Sequence, residues 1–368
     1  MTYTQSTNHS EAQTSNRSVS NGVETRHTTV LLKEAVESLR ITPGDVVVDA
    51  TVGGAGHFRA LLDALDGQGT LIGIDADASA LARAKEASAH SLAQVRLIEG
   101  NFRDLGEHLD SAGVEEIDAA LFDLGWSAFH LSSGRGFSFM TDEPLLMTYG
   151  EPVAGNTAAD LVNGASEEAL ADLFYSLGEE RFARAIARGI ANARRTARIL
   201  TTAQLADIVS ESVPAWYRGR RLHPATKTFQ ALRIAVNDEL GALRDGLSTA
   251  LARLAPGGRV AVISFHSIED RIVKQMLRDV AHEGKGVVVT KKPVTPGSEE
   301  LTRNPRARSA KLRVFERSDA PVSQTLHTPA YTYAPLDNRS RVASSNRAAN
   351  EIHMTSAEVV THYPTGYA

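Results

Sequence analysis

The sequence predicts an α/β fold: a seven-stranded, doubly wound, Rossmann-like sheet interrupted by an inserted all-α subdomain. Three observations predict it. Short β-branched or Leu-rich runs alternate with helical stretches between residues 27 and 318. The first four of these runs start about 20 to 26 residues apart, enough for one crossover helix each. Roughly 135 residues then separate the fourth run from the fifth, several times what a crossover needs.

Taken in order, residues 1–26 are polar and expected to form a disordered tail. Residues 27–127 make the first part of the sheet domain, with strands at Val46 to Asp49, Thr70 to Asp75, Val95 to Glu99 and Ala119 to Asp123. Residues 128–222 form the helical insertion, where Ser166-Glu167-Glu168 opens a run with Leu170, Leu173, Phe174 and Leu177 at helical spacing. A second helix is expected from Glu180 to Arg194, and Thr201-Thr202-Ala203-Gln204 reads as a helix start. Residues 223–318 return to the sheet through one helix around Thr226 to Leu254, closed by a Pro256-Gly257-Gly258 turn. Strands follow at Arg259 to Ser264, Gly286 to Thr290 and Ala310 to Phe315. The last two are joined without a clear helical period and are therefore expected to pair antiparallel. Residues 319–368, rich in Ser, Thr, Pro, Asn and Ala, form a second disordered tail.

Composition narrows the chemistry. With 42% apolar and 23% charged residues the chain can bury a large core, and no run approaches the ~20 apolar residues of a membrane span. The N-terminus lacks the apolar stretch of a secretory signal, so a cytoplasmic protein with no membrane partner is expected. Zero Cys excludes disulfides, thiolate metal sites and cysteine nucleophiles. The net charge of −5 does not advertise a polyanionic partner, so any nucleic-acid contact must be local.

The first strand runs into Ala50-Thr51-Val52-Gly53-Gly54-Ala55-Gly56-His57-Phe58, a turn where glycines let a ligand approach the backbone. Asp75, ending the second strand, can accept both hydroxyls of a ribose. Dinucleotides and S-adenosylmethionine both use this geometry. A dinucleotide site expects Gly-x-Gly-x-x-Gly, whereas Gly54-Ala55-Gly56-His57-Phe58-Arg59 lacks the third glycine. Asp49 would repel a pyrophosphate but can hold the ammonium of an amino acid. Both points favour a methyltransferase over a dehydrogenase, and so does a seventh strand returning antiparallel, as in the S-adenosylmethionine-dependent methyltransferase fold. Asp123-Leu124-Gly125-Trp126-Ser127 ends the fourth strand at the same crevice, where amino methyltransferases hold the target amine. Without Cys, methylation at cytosine carbon 5 through a covalent adduct is disfavoured, leaving N- or O-methylation.

Seven blocks carry a family resemblance. They are His27 to Leu32, Gly53 to His57, Arg135 to Phe139, Gly178 to Ala183, His223 to Arg233, Ile263 to Arg271 and Asn304 to Ser309. In this order they resemble the bacterial small-subunit rRNA cytosine-N4 methyltransferase family called RsmH or MraW. The resemblance implies S-adenosylmethionine as the methyl donor, a decoding-region cytosine of 16S rRNA or the small ribosomal subunit as the partner, and no metal. A homodimer is compatible with it. It places cofactor contacts on Ala55, Gly56, His57, Asp75, Phe102, Asp123 and His130, with Asp123 also the candidate catalytic group. The family usually has Gln where His130 aligns, and Leu146 and Thr148 stand where it has an acid and a base. These two motivate an alternative: a catalytically impaired RNA-binding ribosome-assembly protein of the same fold.

From Arg181 to Arg233 stand 11 Arg or Lys against Asp207 and Glu211, a basic run that suits RNA phosphates or a solvated helix face. Trp216 and Tyr217 suit either stacking on a splayed base or core packing. His266 reads as a hydrogen-bonded structural residue, with no second His or carboxylate at ligand spacing.

Overall fold

The structure, a computed structural model, describes residues 29–125, 133–150, 152 and 155–318. The expected tails, His27, Trp126 and His130 lie outside the described residues. Seven strands form one sheet: β1 (Val46–Asp49), β2 (Thr70–Asp75), β3 (Gln94–Glu99), β4 (Ile117–Asp123), β5 (Leu254–Ser264), β6 (Gly286–Val288) and β7 (Lys311–Arg317). Their order is β3-β2-β1-β4-β5-β7-β6. β1 to β5 pair in parallel, and β7 runs antiparallel to both β5 and β6 as expected, although the chain joining β6 to β7 does carry a short helix, Ser298–Arg303, that the sequence pattern did not show. The chain builds outward from β1 to β3, then returns past β1 to add β4. That reversal makes a switch point between β1 and β4, where open α/β sheets hold ligands.

Alternate strand residues feed two cores, one on each face of the sheet. Val47, Leu71, Ala119 and Leu121 pack with α1 (Leu32–Leu39), α2 (Gly56–Ala64) and α3 (Ala78–Ala87). Val48, Ile72, Ala120 and Phe122 pack on the other face with α4 (Leu105–Ser111) and later helices.

Between β4 and β5 the described chain has no helix over residues 133–150 and is mainly helical from Ala158 onward. It forms α5 (Ala158–Gly164), α6 (Glu167–Gly178), α7 (Ala183–Ala193), α8 (Thr202–Glu211), α9 (Ala215–Arg218), α10 (Thr226–Asn237) and α11 (Glu239–Arg253). Ser166 caps α6 by accepting from the Ala169 N–H, and Thr201 with Gln204 forms the capping box its sequence suggests. A third core joins Leu170, Phe174, Ile186, Ile190, Leu205 and Val209 to Phe229, Leu232 and Ile234, and so runs past residue 222 into α10. α6 and α10 meet closely at Gly178, where an added Cβ would lie 2.6 Å from the Lys227 carbonyl oxygen. After β5 come α12 (Ser267–His282) and α13 (Ser298–Arg303).

Three elements differ from the sequence expectation. The second helix of the insertion starts at Ala183, not Glu180, because Glu179 is left-handed (φ 49°) and the Glu180 carboxylate accepts from the Phe182 N–H. The single helix expected from Thr226 to Leu254 is two helices, broken at Asp238 (φ 45°), whose carboxylate pairs with Arg103. A one-residue break leaves the apolar period on either side intact, so no pattern reveals it. Finally, β5 begins at Leu254, paired with Ile117, and its register jumps so that Ala119 meets Arg259. Pro256-Gly257-Gly258 is thus a bulge inside the strand rather than a turn before it.

Candidate active site

Three neighbouring strands, β2, β1 and β4, each end in an aspartate: Asp75, Asp49 and Asp123. Parallel pairing aligns these ends at one edge of the sheet, beside the switch point. The turn after β1 carries positive φ at Gly53 (50°) and Ala55 (60°) and delivers His57 into the first turn of α2. His57 is buried, with Nδ1 3.2 Å from Asp123 Oδ2. The Thr51 hydroxyl accepts from the Asp123 N–H at 2.7 Å and so ties the turn to β4. Gly56 lies against the Thr29 side chain, where a Cβ would clash.

The electrostatics follow from this crowding. Asp49 is fully enclosed, and burial pushes its carboxyl up to about 7; the charges of Asp123 and Asp75 add to this, while His57 and the Thr51 N–H oppose it. Burial works to lower the His57 pKa, but the charge and hydrogen bond of Asp123, with Asp49 behind them, raise it on balance. Burial also raises Asp75, against the Gly53 and Asp77 N–H groups, which each donate to its carboxylate at 2.8 Å. Asp49 Oδ2 and Asp123 Oδ1 are buried without a hydrogen-bond partner. Buried polar atoms are normally satisfied, so these two mark where a donor belongs. Three carboxylates gathered at one strand edge suit a cationic ligand and disfavour a pyrophosphate.

The structure brings Ala55, Gly56, His57, Asp75 and Asp123 together. Phe102 sits in a 3-10 turn after β3 and packs edge-on against Phe122 at 5.6 Å, half-buried beside Gly246. The His130 expectation lies outside the described residues. Thr148 is buried with its hydroxyl unpartnered, and Leu146 is half-buried.

A second polar cluster escapes sequence reasoning. Arg233 of α10 pairs with both oxygens of Glu239, at 2.8 and 3.0 Å. The Tyr149 hydroxyl donates to Glu239 at 2.9 Å, and Asn237 accepts from the Tyr149 N–H and donates to the Met147 carbonyl. His266 and Glu269 close the group, with Nε2 and Oε1 3.0 Å apart. Carboxylates do therefore lie near His266: Glu239, His266 and Glu269 present atoms within 4.8 Å of one another. The carboxylates already have partners, since Glu239 balances Arg233 and Glu269 accepts from the Phe265 N–H at 2.8 Å to cap α12. Burial works to raise the Glu269 carboxyl, but His266 and the Arg233 charge hold it below its ordinary value. The spacing of His266 to Glu269 is a capping-box spacing and was a usable signal; nothing local points to Glu239.

The basic run divides by role. Arg194 donates to the Val162 and Ala165 carbonyls at 2.8 and 2.6 Å, so it closes the end of α5 and is not free for RNA. Arg188 faces Glu167 at 3.4 Å, while Arg184 and Arg195 are exposed.

Residues 24–318 match the profile of the MraW methylase family. A Deinococcus radiodurans protein named ribosomal RNA small subunit methyltransferase H is 52% identical over 299 residues, covering 80% of this chain and 91% of its own length. A protein of the same name from Methylobacterium nodulans is 47% identical over 335 residues, covering 86% and 97%.

Proposed function

Because the chain belongs to the MraW methylase family, we propose that it transfers a methyl group from S-adenosylmethionine to N4 of a cytosine in the decoding region of 16S rRNA. The observation that carries this reading is the pair of unpartnered carboxylate oxygens, Asp49 Oδ2 and Asp123 Oδ1, in a crevice made negative by three aspartates. When bound, S-adenosylmethionine supplies an electrophilic methyl on a sulfonium, together with an ammonium and a ribose. Asp49 fits the ammonium and Asp75 the ribose hydroxyls, while Ala55, Gly56 and His57 shape the turn beneath them. Phe102 and His130 complete the proposed contacts. Asp123 accepts either from the methionine end of the donor or from the cytosine amine, and His57 holds its other oxygen in place. An exocyclic amine has its lone pair delocalised into the ring, so an acceptor on its N–H bonds is what the attack requires. A cytoplasmic location follows from a ribosomal substrate.

The decisive test is mass mapping of N4-methylcytidine in small-subunit rRNA from cells with and without this chain. One modified cytosine should disappear with the chain; an unchanged map overturns the proposal. The impaired RNA-binding reading is not favoured, since the Asp49, His57 and Asp123 grouping is intact in the fold.

Two binding results are expected. Asp75→Ala should weaken S-adenosylmethionine binding by about 1.5 to 3 kcal/mol, roughly 10- to 150-fold, by removing a charge-assisted acceptor. Wild-type affinity by calorimetry would rule out the ribose assignment. The second concerns pH. With its carboxyl pushed up to about 7, Asp49 is largely neutral below that pH and charged above it, whereas an ammonium needs the charged form. Affinity should therefore climb as pH rises from 6 to 8, with a proton released on binding at the acid end. Calorimetry in two buffers of different ionisation enthalpy measures that proton, and its absence at pH 6 would remove Asp49 from the ammonium site.

A further inference from the structure

Trp216 and Tyr217 are adjacent in sequence and opposite in environment. Tyr217 is buried, and burial, together with the bond its hydroxyl donates to Glu180 at 2.8 Å, pushes its pKa up to about 12. Trp216 is 53% exposed, although it keeps edge contacts to Phe182 and Tyr217 at 5.8 Å. The guanidinium carbons of Arg181 and Arg220 each lie 5.2 Å from the Trp216 ring centroid. Neither arginine forms an ion pair with a carboxylate among the described residues, and Arg218 and Arg221 beside them are exposed too. An exposed indole ringed by uncompensated guanidiniums is a poor core and a poor salt-bridged surface. Its chemistry matches a ligand with flat rings and negative charge at short intervals.

Its place in the fold connects it to the crevice. Glu179 accepts from Ser267 Oγ at 2.6 Å and from Arg271 at 2.8 Å, both on α12, which follows β5 directly. The next residues, Glu180 to Phe182, anchor Tyr217 and carry Arg181 to the Trp216 ring. One short loop therefore spans from the carboxyl end of β5 to the Trp216 patch.

Resting on the proposal that the substrate is RNA, we infer that Trp216 is a stacking platform for an unpaired nucleobase of that RNA, with Arg181 and Arg220 taking the flanking phosphates. A base stacked on an aromatic ring outweighs an exposed cation–π contact, so an incoming base displaces a guanidinium from the ring face toward phosphate. Stacking tolerates any base. The patch therefore holds the strand near the crevice without choosing the sequence.

The test uses the full chain and a fluorescently labelled 20-nucleotide single-stranded RNA of mixed sequence, with isolated small ribosomal subunits in parallel. Trp216→Ala should weaken oligonucleotide binding about 10- to 100-fold, and Trp216→Phe should keep most of it. S-adenosylmethionine affinity should stay at the wild-type value in both. The double change Arg181→Gln and Arg220→Gln should flatten the slope of log affinity against log salt by about 1.4, from two phosphate contacts at roughly 0.7 each. Wild-type RNA affinity in Trp216→Ala, or an unchanged salt slope in the Arg pair, overturns the inference. So does polyglutamate binding that depends on Trp216 as strongly as RNA binding does, which would assign the patch to acidic proteins. The two readings fail separately. Methyl transfer to subunits that is indifferent to Trp216 removes the platform and keeps the function, whereas Trp216-dependent RNA binding without any methyl transfer keeps the platform and removes the function.

Discussion

Asp123→Asn is expected to lower single-turnover methyl transfer about 100- to 1000-fold, the size of effect seen when one preorganised polar group or one proton acceptor is lost from a reaction centre. Asparagine keeps the shape and one carbonyl acceptor, but removes the charge that His57 faces at 3.2 Å. The backbone bond from Asp123 N–H to Thr51 is untouched, so β4 and the turn after β1 should remain joined. The melting temperature should accordingly move little. Single-turnover kinetics with saturating donor isolates the chemical step, and an unchanged rate there would exclude Asp123 from both the donor and the target side.

Arg233→Met should cost about 3 to 5 kcal/mol of stability, the usual consequence of stripping one partner from a buried ion pair. Arg233 is 8% exposed and neutralises Glu239 with two hydrogen bonds, and its charge also acts on Glu269. Met fills similar space but takes from Glu239 its cationic partner, leaving it the Tyr149 hydroxyl, while Glu269 keeps His266. For a domain this size the loss corresponds to a fall of roughly 6 to 20 °C in melting temperature. Adding Glu239→Gln to Arg233→Met removes one stranded charge and should recover part of the loss. A single variant that melts within two degrees or so of wild type would show that water reaches these carboxylates and that the cluster is not a sealed one.

The strands, their parallel run and the reversed β7 were legible because a period of two or a short apolar run is a local property. So were the three aspartates, since each is simply the last residue of such a run, and parallel pairing brings equal ends together. The capping of α6 and α8 was legible for the same reason: Ser166, and Thr201 with Gln204, act within one turn. The structural role of Arg194 within the basic run was not legible, because its carbonyl partners lie about thirty residues back in the chain.

By itself, then, the sequence determined the sheet, the insertion, the crevice at the β1 turn and the resemblance that points to a methylase. Only the tertiary structure decided which neighbours meet. Asp238 turns left-handed between two helices that share one apolar pattern, and that turn sets Glu239 against Arg233 and Tyr149. Packing alone separates Trp216 from Tyr217, hiding one ring against Phe182 and Glu180 and leaving the other in solvent. The physical reason is common to both cases. Backbone periodicity sets an element from residues a few positions apart, whereas burial and charge pairing are settled between residues tens of positions apart, after the elements have packed.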